Sequence, residues 1–186
     1  MNDFDVHALP IEGLCLIHQK VFTDHRGRFA RLFCQSRLQV QGKRFDIRQI
    51  NHSHTLGKGS VRGLHFQYAP HAESKLITCV AGAVWDVAVD LRPGSATFLQ
   101  WHAEELVAGD GRSFLIPAGF AHGFQVLSDE AEILYCSDAD YSPAYEAGLG
   151  ATDAALAIAW PLPVTNLSAK DAAHPAIDAD FAGVQL

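Results

Sequence analysis

The sequence predicts a mainly-β protein, an antiparallel sandwich or barrel with short C-terminal helices, and three observations carry that expectation. Short runs rich in β-branched and aromatic residues recur from Gly13 to Cys136. Turn signals separate them at Gly57–Gly59, Ala81–Gly82, Arg92–Gly94 and Ala108–Gly111, within a chain of 15 Gly and 8 Pro. Helical patterning is scarce before Thr152. Many short strands at modest spacing favour a closed or double-layered antiparallel architecture. At 186 residues, the chain 1–186 reads as a single domain large enough to bury a core.

Strands are expected, in order, at Gly13–His18, Arg28–Phe33, Ile47–His52, Val61–Gln67 and Leu76–Val80. They continue at Val84–Leu91, Ala96–Trp101, Ser113–Pro117, His122–Leu127 and Glu132–Cys136. The segment Thr152–Ala159 can form one or two helical turns, which Trp160-Pro-Leu-Pro163 must end. A further short helix is expected near Ser168–Ala173, where Asp171 is a possible cap.

Composition narrows the function classes. A formal charge of −7 argues against general nucleic-acid binding, which calls for a basic face, but leaves room for a local cationic pocket. The most apolar stretch, Val80–Leu91, is short and carries Asp86 and Asp90, so no membrane span is expected. The start MNDFDVHALP lacks the basic, then apolar pattern of a secretory signal. Cys15, Cys34, Cys79 and Cys136 show no CxxC spacing, which points to reduced thiols in the cytoplasm.

Two passages carry the chemistry. The first is Gly59-Ser-Val-Arg-Gly-Leu-His65-Phe-Gln67, followed by Lys75 and Gly82. The second is Gly111-Arg-Ser-Phe-Leu-Ile-Pro117-Ala-Gly119-Phe-Ala-His122. They resemble the two signature motifs of the cupin jelly-roll barrels, the second in full and the first at both glycines and the first His. Where metal-binding cupins have a second His this chain has Gln67, and where they have a Glu it has Lys75. An ammonium repels a divalent cation and two histidines are too few for a tight site, so no metal or other cofactor is expected. A fixed cation instead suits the stabilisation of a developing oxyanion.

Further segments sharpen the resemblance to the dTDP-4-dehydrorhamnose 3,5-epimerase family. They include Phe22-Thr-Asp-His-Arg26-Gly27, Gln49-Ile-Asn51, Arg62-Gly-Leu-His65-Phe-Gln67, Asp86-Val-Ala-Val-Asp90-Leu-Arg92 and Ile116-Pro-Ala-Gly-Phe-Ala-His122. Ile133-Leu-Tyr135, Tyr141-Ser-Pro143, Glu146, Trp160-Pro161 and Ser168-Ala-Lys170-Asp171 complete the match, in the family's order. The resemblance implies a metal-free enzyme acting on a nucleotide-diphosphate sugar, and a homodimer whose neighbouring chains complete each other's pockets.

Inverting a carbon beside a ketone requires removing one proton and returning another on the opposite face, with the enolate oxygen stabilised between. Strand alternation puts His65 and Gln67 on one face, and His65 is the natural base. Asp171 would orient it, as in other His–Asp pairs. Lys75 would meet the ketone oxygen, contributing ~3–4 kcal/mol, the size of one oxyanion-hole donor. Tyr135 can donate the returning proton; only the resemblance separates it from Tyr141, and the resemblance implies the same four roles. It also implies that His122 is an auxiliary group near the ketone and that Gln49, Asn51, Glu146 and Lys170 contact substrate. Arg62 is a plausible diphosphate clamp. Arg26 and Phe29 would reach a pocket, from the neighbouring subunit or their own. Arg31 stands where the family commonly has a Glu that contacts the thymine, which leaves the nucleobase open.

Asp86, Asp90 and Arg92 are expected to form one structural polar set, and His71, His102 and His174 to lie at the surface. Two other functions compete. A metal-dependent cupin would use His65, His122 and Glu73 as ligands, and a non-catalytic sugar-nucleotide module would keep the barrel without turnover.

Overall fold

The computed structural model describes residues 3–40 and 42–186. Two antiparallel sheets face each other in the jelly-roll arrangement that the motifs led us to expect. The larger contains β1 (Phe4–Ala8), β2 (Cys15–Gln19), β7 (Gln49–Leu56), β9 (Lys75–Ala81), β12 (Arg112–Ile116) and β14 (Glu130–Ser137). Its spatial order is β1-β2-β12-β9-β14-β7. The smaller contains β8 (Val61–Gln67), β10 (Ala83–Asp90), β11 (Trp101–Val107), β13 (Phe120–Val126) and β15 (Glu146–Gly148), in the order β11-β10-β13-β8-β15. Two hairpins stand apart: β3 (Val21–Asp24) with β4 (Gly27–Ala30), and β5 (Gln39–Val40) with β6 (Lys43–Arg44). One short helix, α1 (Ala169–Ala172), is capped by Ser168.

Period-two alternation decides what faces the barrel interior. Ile77, Cys79, Val84, Ala88, Phe114, Ile116, Phe124, Val126 and Ile133 fill the space between the sheets. On the smaller sheet the other side is also apolar, because the chain after β15 folds back over it. Leu64, Phe66, Val87 and Val89 pack there against Leu149, Leu156 and Val184. Strand β10 is therefore buried on both faces, which is why it reads as a nearly continuous apolar run, whereas β8 carries Arg62, His65 and Gln67 on its inward side.

An irregularity in β8 positions the site. His122 of β13 lies opposite His65, but Phe124 lies opposite Arg62, so two residues of β8 stand against Gly123 alone. This is a β-bulge. Gly63 adopts φ +111°, and a Cβ there would lie 2.6 Å from the His122 carbonyl oxygen and 2.7 Å from the Gly123 Cα. Only glycine fits such an approach. The extra residue turns Arg62 to the same side as His65, because each is paired with an inward-facing residue of β13.

Several elements differ from expectation. Ala96–Leu99 is a turn, with Leu99 at φ +63°, and the strand expected to end at Trp101 instead begins there. The turn forms because the Asp90 carboxylate gathers Ser95, Thr97 and Arg92 around itself. Thr152–Ala159 makes a hydrogen-bonded turn about Asp153 rather than a helix, and Ala157, at φ +46°, stops it. The strands β1, β3 and β15, which had no strong pattern, are held by partners distant in sequence or by hairpin closure. Asp86 does not join Asp90 and Arg92; it faces inward from mid-strand.

Asp90 is fully buried. Burial alone would raise its pKa, but hydrogen bonds from Arg92, Ser95 and Thr97 prevail and hold it at about 2. The sign follows from a folded value below the ordinary 3.8. Its stabilisation is complete above that ordinary value and disappears as pH falls through about 2. Asp90→Asn is expected to lower unfolding free energy at neutral pH by about 2 kcal/mol, measured by urea denaturation, with the deficit shrinking in acid.

Candidate active site

One mouth of the barrel holds a cavity of about 300 Å3 lined by Gln49, Asn51, His65, Gln67, Glu73, Lys75, Tyr135, Ser137, Tyr141 and Glu146, among others. Alternation explains the composition. Lys75 continues the inward row of Ile77 and Cys79 on β9, and Tyr135 that of Ile133 on β14. Asn51 lies directly opposite Tyr135 across the β7–β14 ladder. Apolar side chains close the interior below, and polar ones replace them at the rim.

His65 Nε2 and Asp171 Oδ1 are 2.6 Å apart. Asp171 is brought there by α1, whose Ser168 Oγ accepts a hydrogen bond from the Asp171 backbone N–H at 3.0 Å. Asp171 is therefore not the cap; Ser168 is. Its other oxygen, Oδ2, accepts from the Gly63 N–H at 3.4 Å. Burial is the largest single influence on Asp171 and favours its acid form, but the bond and charge of His65 together with the Gly63 and Ser168 hydrogen bonds prevail and keep its pKa low. For His65 burial is again largest and lowers the pKa, with Asp171 opposing. The result is a free imidazole paired with a carboxylate, the arrangement of a general base and its orienter.

Lys75 Nζ lies 3.2 Å from Glu73 Oε1, and both are largely withdrawn from solvent. Burial raises the pKa of Tyr135, with Arg62 lowering it and Glu73 raising it further. The phenol is thus a proton donor and not a phenolate at neutral pH. Glu146 accepts from Tyr141 Oη at 2.7 Å and pairs with Lys170 at 2.6 Å. Arg62 Nε donates to Thr55 Oγ1 at 2.7 Å, bridging the two sheets, and neither residue is part of the cavity lining.

Not every expected residue lines the cavity. His122 sits deeper, buried, with Nε2 2.9 Å and 3.1 Å from the two oxygens of Asp86. Sequence reasoning missed Asp86 as its partner; the inward register of β10 was the available signal. Arg26 and Phe29 lie on the β3–β4 hairpin, outside the cavity of their own chain. Among the described residues, Arg26 pairs only with Asp24, two residues away. Arg31 pairs with Asp3, a carboxylate that Arg37 also reaches at 3.3 Å. His174 is not at the surface. It is largely buried, its Nε2 3.7 Å from Asp171 Oδ1. His71 and His102 are half-buried, and His102 pairs with Glu104 at 2.8 Å.

Each candidate ligand of the competing metal site is engaged elsewhere: His65 by Asp171, His122 by Asp86, Glu73 by Lys75. Gln67, at the cupin ligand position, uses both ends of its amide to hold loops, donating to the carbonyls of His71 and Asp140 and accepting from the Ser142 N–H. His65, Asp171 and His174 bring three possible donor atoms within 4.8 Å of one another. All four cysteines are free thiols. Among the described residues, no helix is long and apolar enough to cross a membrane.

A barrel that sets a carboxylate-held imidazole beside an ammonium and a neutral phenol belongs to the class of enzymes that move protons on carbon. Sequence comparison carries this further. Residues 8–179 match the model of the dTDP-4-dehydrorhamnose 3,5-epimerase family. A dTDP-4-dehydrorhamnose 3,5-epimerase of Shigella flexneri is 43% identical over 173 residues, 92% of this chain and 95% of the relative. Among solved structures, a dTDP-6-deoxy-D-glucose-3,5-epimerase from Legionella pneumophila in complex with dTDP-4-keto-L-rhamnose superposes with a TM-score of 0.90 at 39% identity, covering 98% and 99% of the two chains. A 3'-monoepimerase from Streptomyces bikiniensis in complex with dTDP-quinovose gives 0.85 at 34% identity, covering 91% and 86%. The chain belongs to the dTDP-4-dehydrorhamnose 3,5-epimerase family, and is accordingly an isomerase.

Because the pKa of His65 is held below the 6.5 of an ordinary imidazole, folded stability is undiminished above that value. It is lost as pH falls below it, through the folded pKa, where the unfolded chain binds the proton first. Urea unfolding at about pH 5 and about pH 7.5 is expected to show a loss of stability in acid that His65→Asn makes smaller.

Proposed function

We propose that this protein epimerises a dTDP-linked 4-keto-6-deoxy sugar at C3, C5 or both, with no cofactor. The observation that carries the reading is the shared cavity of His65, Lys75 and Tyr135, with Asp171 bonded to the imidazole. His65 removes the acidic proton beside the ketone, and Asp171 stabilises the imidazolium that forms. The Lys75 ammonium receives the charge that gathers on the ketone oxygen, leaving its partnership with Glu73 in part. Tyr135 returns a proton from the opposite side. Its pKa, raised by burial, keeps that proton in place until the carbanion needs it. The His122–Asp86 pair lies deeper in the same interior and supports the electrostatics near the ketone.

The nucleotide end is read from the rim. A 300 Å3 cavity is at the small end of ligand sites, suited to the sugar, with the diphosphate reaching Arg62 and further contacts from Gln49, Asn51, Glu146 and Lys170. Arg26 has 79% of its side chain exposed and Phe29 is 63% exposed, on a hairpin away from their own cavity. That exposure supports a homodimer in which the hairpin, with Arg31 at its base, serves the neighbouring pocket. The relatives' names support dTDP as the carrier. The extent of the family match, residues 8–179, supports one domain over 1–186.

The decisive test is incubation with dTDP-4-dehydro-6-deoxyglucose in heavy water. Deuterium is expected at C3, C5 or both, and label at neither carbon would remove the proposal. His65→Asn is expected to abolish exchange, whereas Tyr135→Phe should retain exchange and lose inversion. In a thermal-shift panel, dTDP is expected to raise the melting point more than UDP, GDP or CDP. A larger shift with another base would reassign the carrier.

A further inference from the structure

Behind the His65–Asp171 pair lies a second histidine that the proposed chemistry does not use. His174 follows α1 by two residues and is turned inward over Gly148, so closely that a Cβ at Gly148 would lie 2.3 Å from its ring. Its side chain is 12% exposed. The ring stands edge-on to that of His65, with centroids 5.8 Å apart. Its Nε2 is buried without a hydrogen-bond partner among the described residues, stopping 3.7 Å from the Asp171 oxygen that holds His65. The other charged groups about this ring are Glu146 and Lys170, which pair with each other, and Asp178.

A buried nitrogen without a partner costs desolvation energy that a leucine or phenylalanine in the same seat would avoid. Packing alone therefore does not account for a histidine here. We propose that His174 is a positioning residue of the active site, its Nε2–H closing onto Asp171 Oδ1 while His65 carries the abstracted proton. A movement of less than about 1 Å brings that separation to ordinary hydrogen-bond length. The second donor keeps the carboxylate oriented and ionised when the proton resides on the imidazole, so the pair does not rearrange between abstraction and return. The inference rests on the epimerase reading of the cavity.

The test uses the full chain with dTDP-4-dehydro-6-deoxyglucose, comparing wild type, His174→Phe and His174→Gln. Phenylalanine keeps the ring volume and removes the nitrogen. It is expected to melt at or above the wild-type temperature, yet to lose about tenfold in kcat at unchanged KM, the rate equivalent of one net hydrogen bond. Glutamine restores a donor and is expected to recover most of that loss. Wild-type kcat in His174→Phe, a loss confined to KM, or no recovery with glutamine would each overturn the inference. Should the phenylalanine variant not fold, His174→Leu against His174→Gln makes the same comparison. If the wild type itself exchanges no deuterium, the epimerase reading falls, a result distinct from a wild type that exchanges and a phenylalanine variant that matches it.

Discussion

The close approach of β8 and β13 at Gly63 and Gly123 governs most of what this molecule can do. Without side chains at either position, the two backbones accommodate an extra residue, and the parity of β8 changes within the strand. His65 and Arg62, three residues apart, consequently face the same interior. On a regular strand one of them would lie against the C-terminal tail. The same bulge directs the Gly63 N–H toward Asp171, so the distortion also contributes to holding the orienter of the base.

Burial does much of the electrostatic work around this framework. It is the largest influence on His65, Asp171 and Tyr135, and what differs is how well partners oppose it. The Asp171 carboxylate remains ionised because His65, Gly63 and Ser168 all bond to it or its backbone. Tyr135 has no comparable partner and keeps its proton. His65 is left between the two, dry enough to be a free base and close enough to a carboxylate to accept a charge. A single interior thus sustains an acid and a base of separate character.

The interior surface is also divided by depth. Ile77, Phe114 and Ile133 close the barrel below the cavity, while Lys75, Tyr135, Ser137, Gln49 and Asn51 occupy inward positions near the mouth. The tail after β15 seals the outer face of the smaller sheet and then returns Asp171 and His174 to the site. The covering of the sheet and the completion of the catalytic pair are therefore one structural event.

Much of this was legible along the chain. The apolar runs of β8, β9, β10, β13 and β14 mark themselves because strands buried on one or both faces must carry β-branched and aromatic residues, and the glycines between them mark turns. Motif spacing and strand parity mark His65 and Lys75, whereas only the family resemblance singles out Tyr135 from Tyr141. Tertiary packing decided the rest. The pairing of Asp86 with His122 and the burial of His174 depend on contacts 36 and 109 positions apart (122 − 86 and 174 − 65), which no local pattern encodes. The strand expected at Ala96–Trp101 gave way because a buried Asp90 carboxylate needs donors more than Leu99 needs an extended backbone. Local sequence sets which side chains can face inward, and long-range packing sets which of them meet, because hydrogen bonds and burial are satisfied only when distant segments are in place.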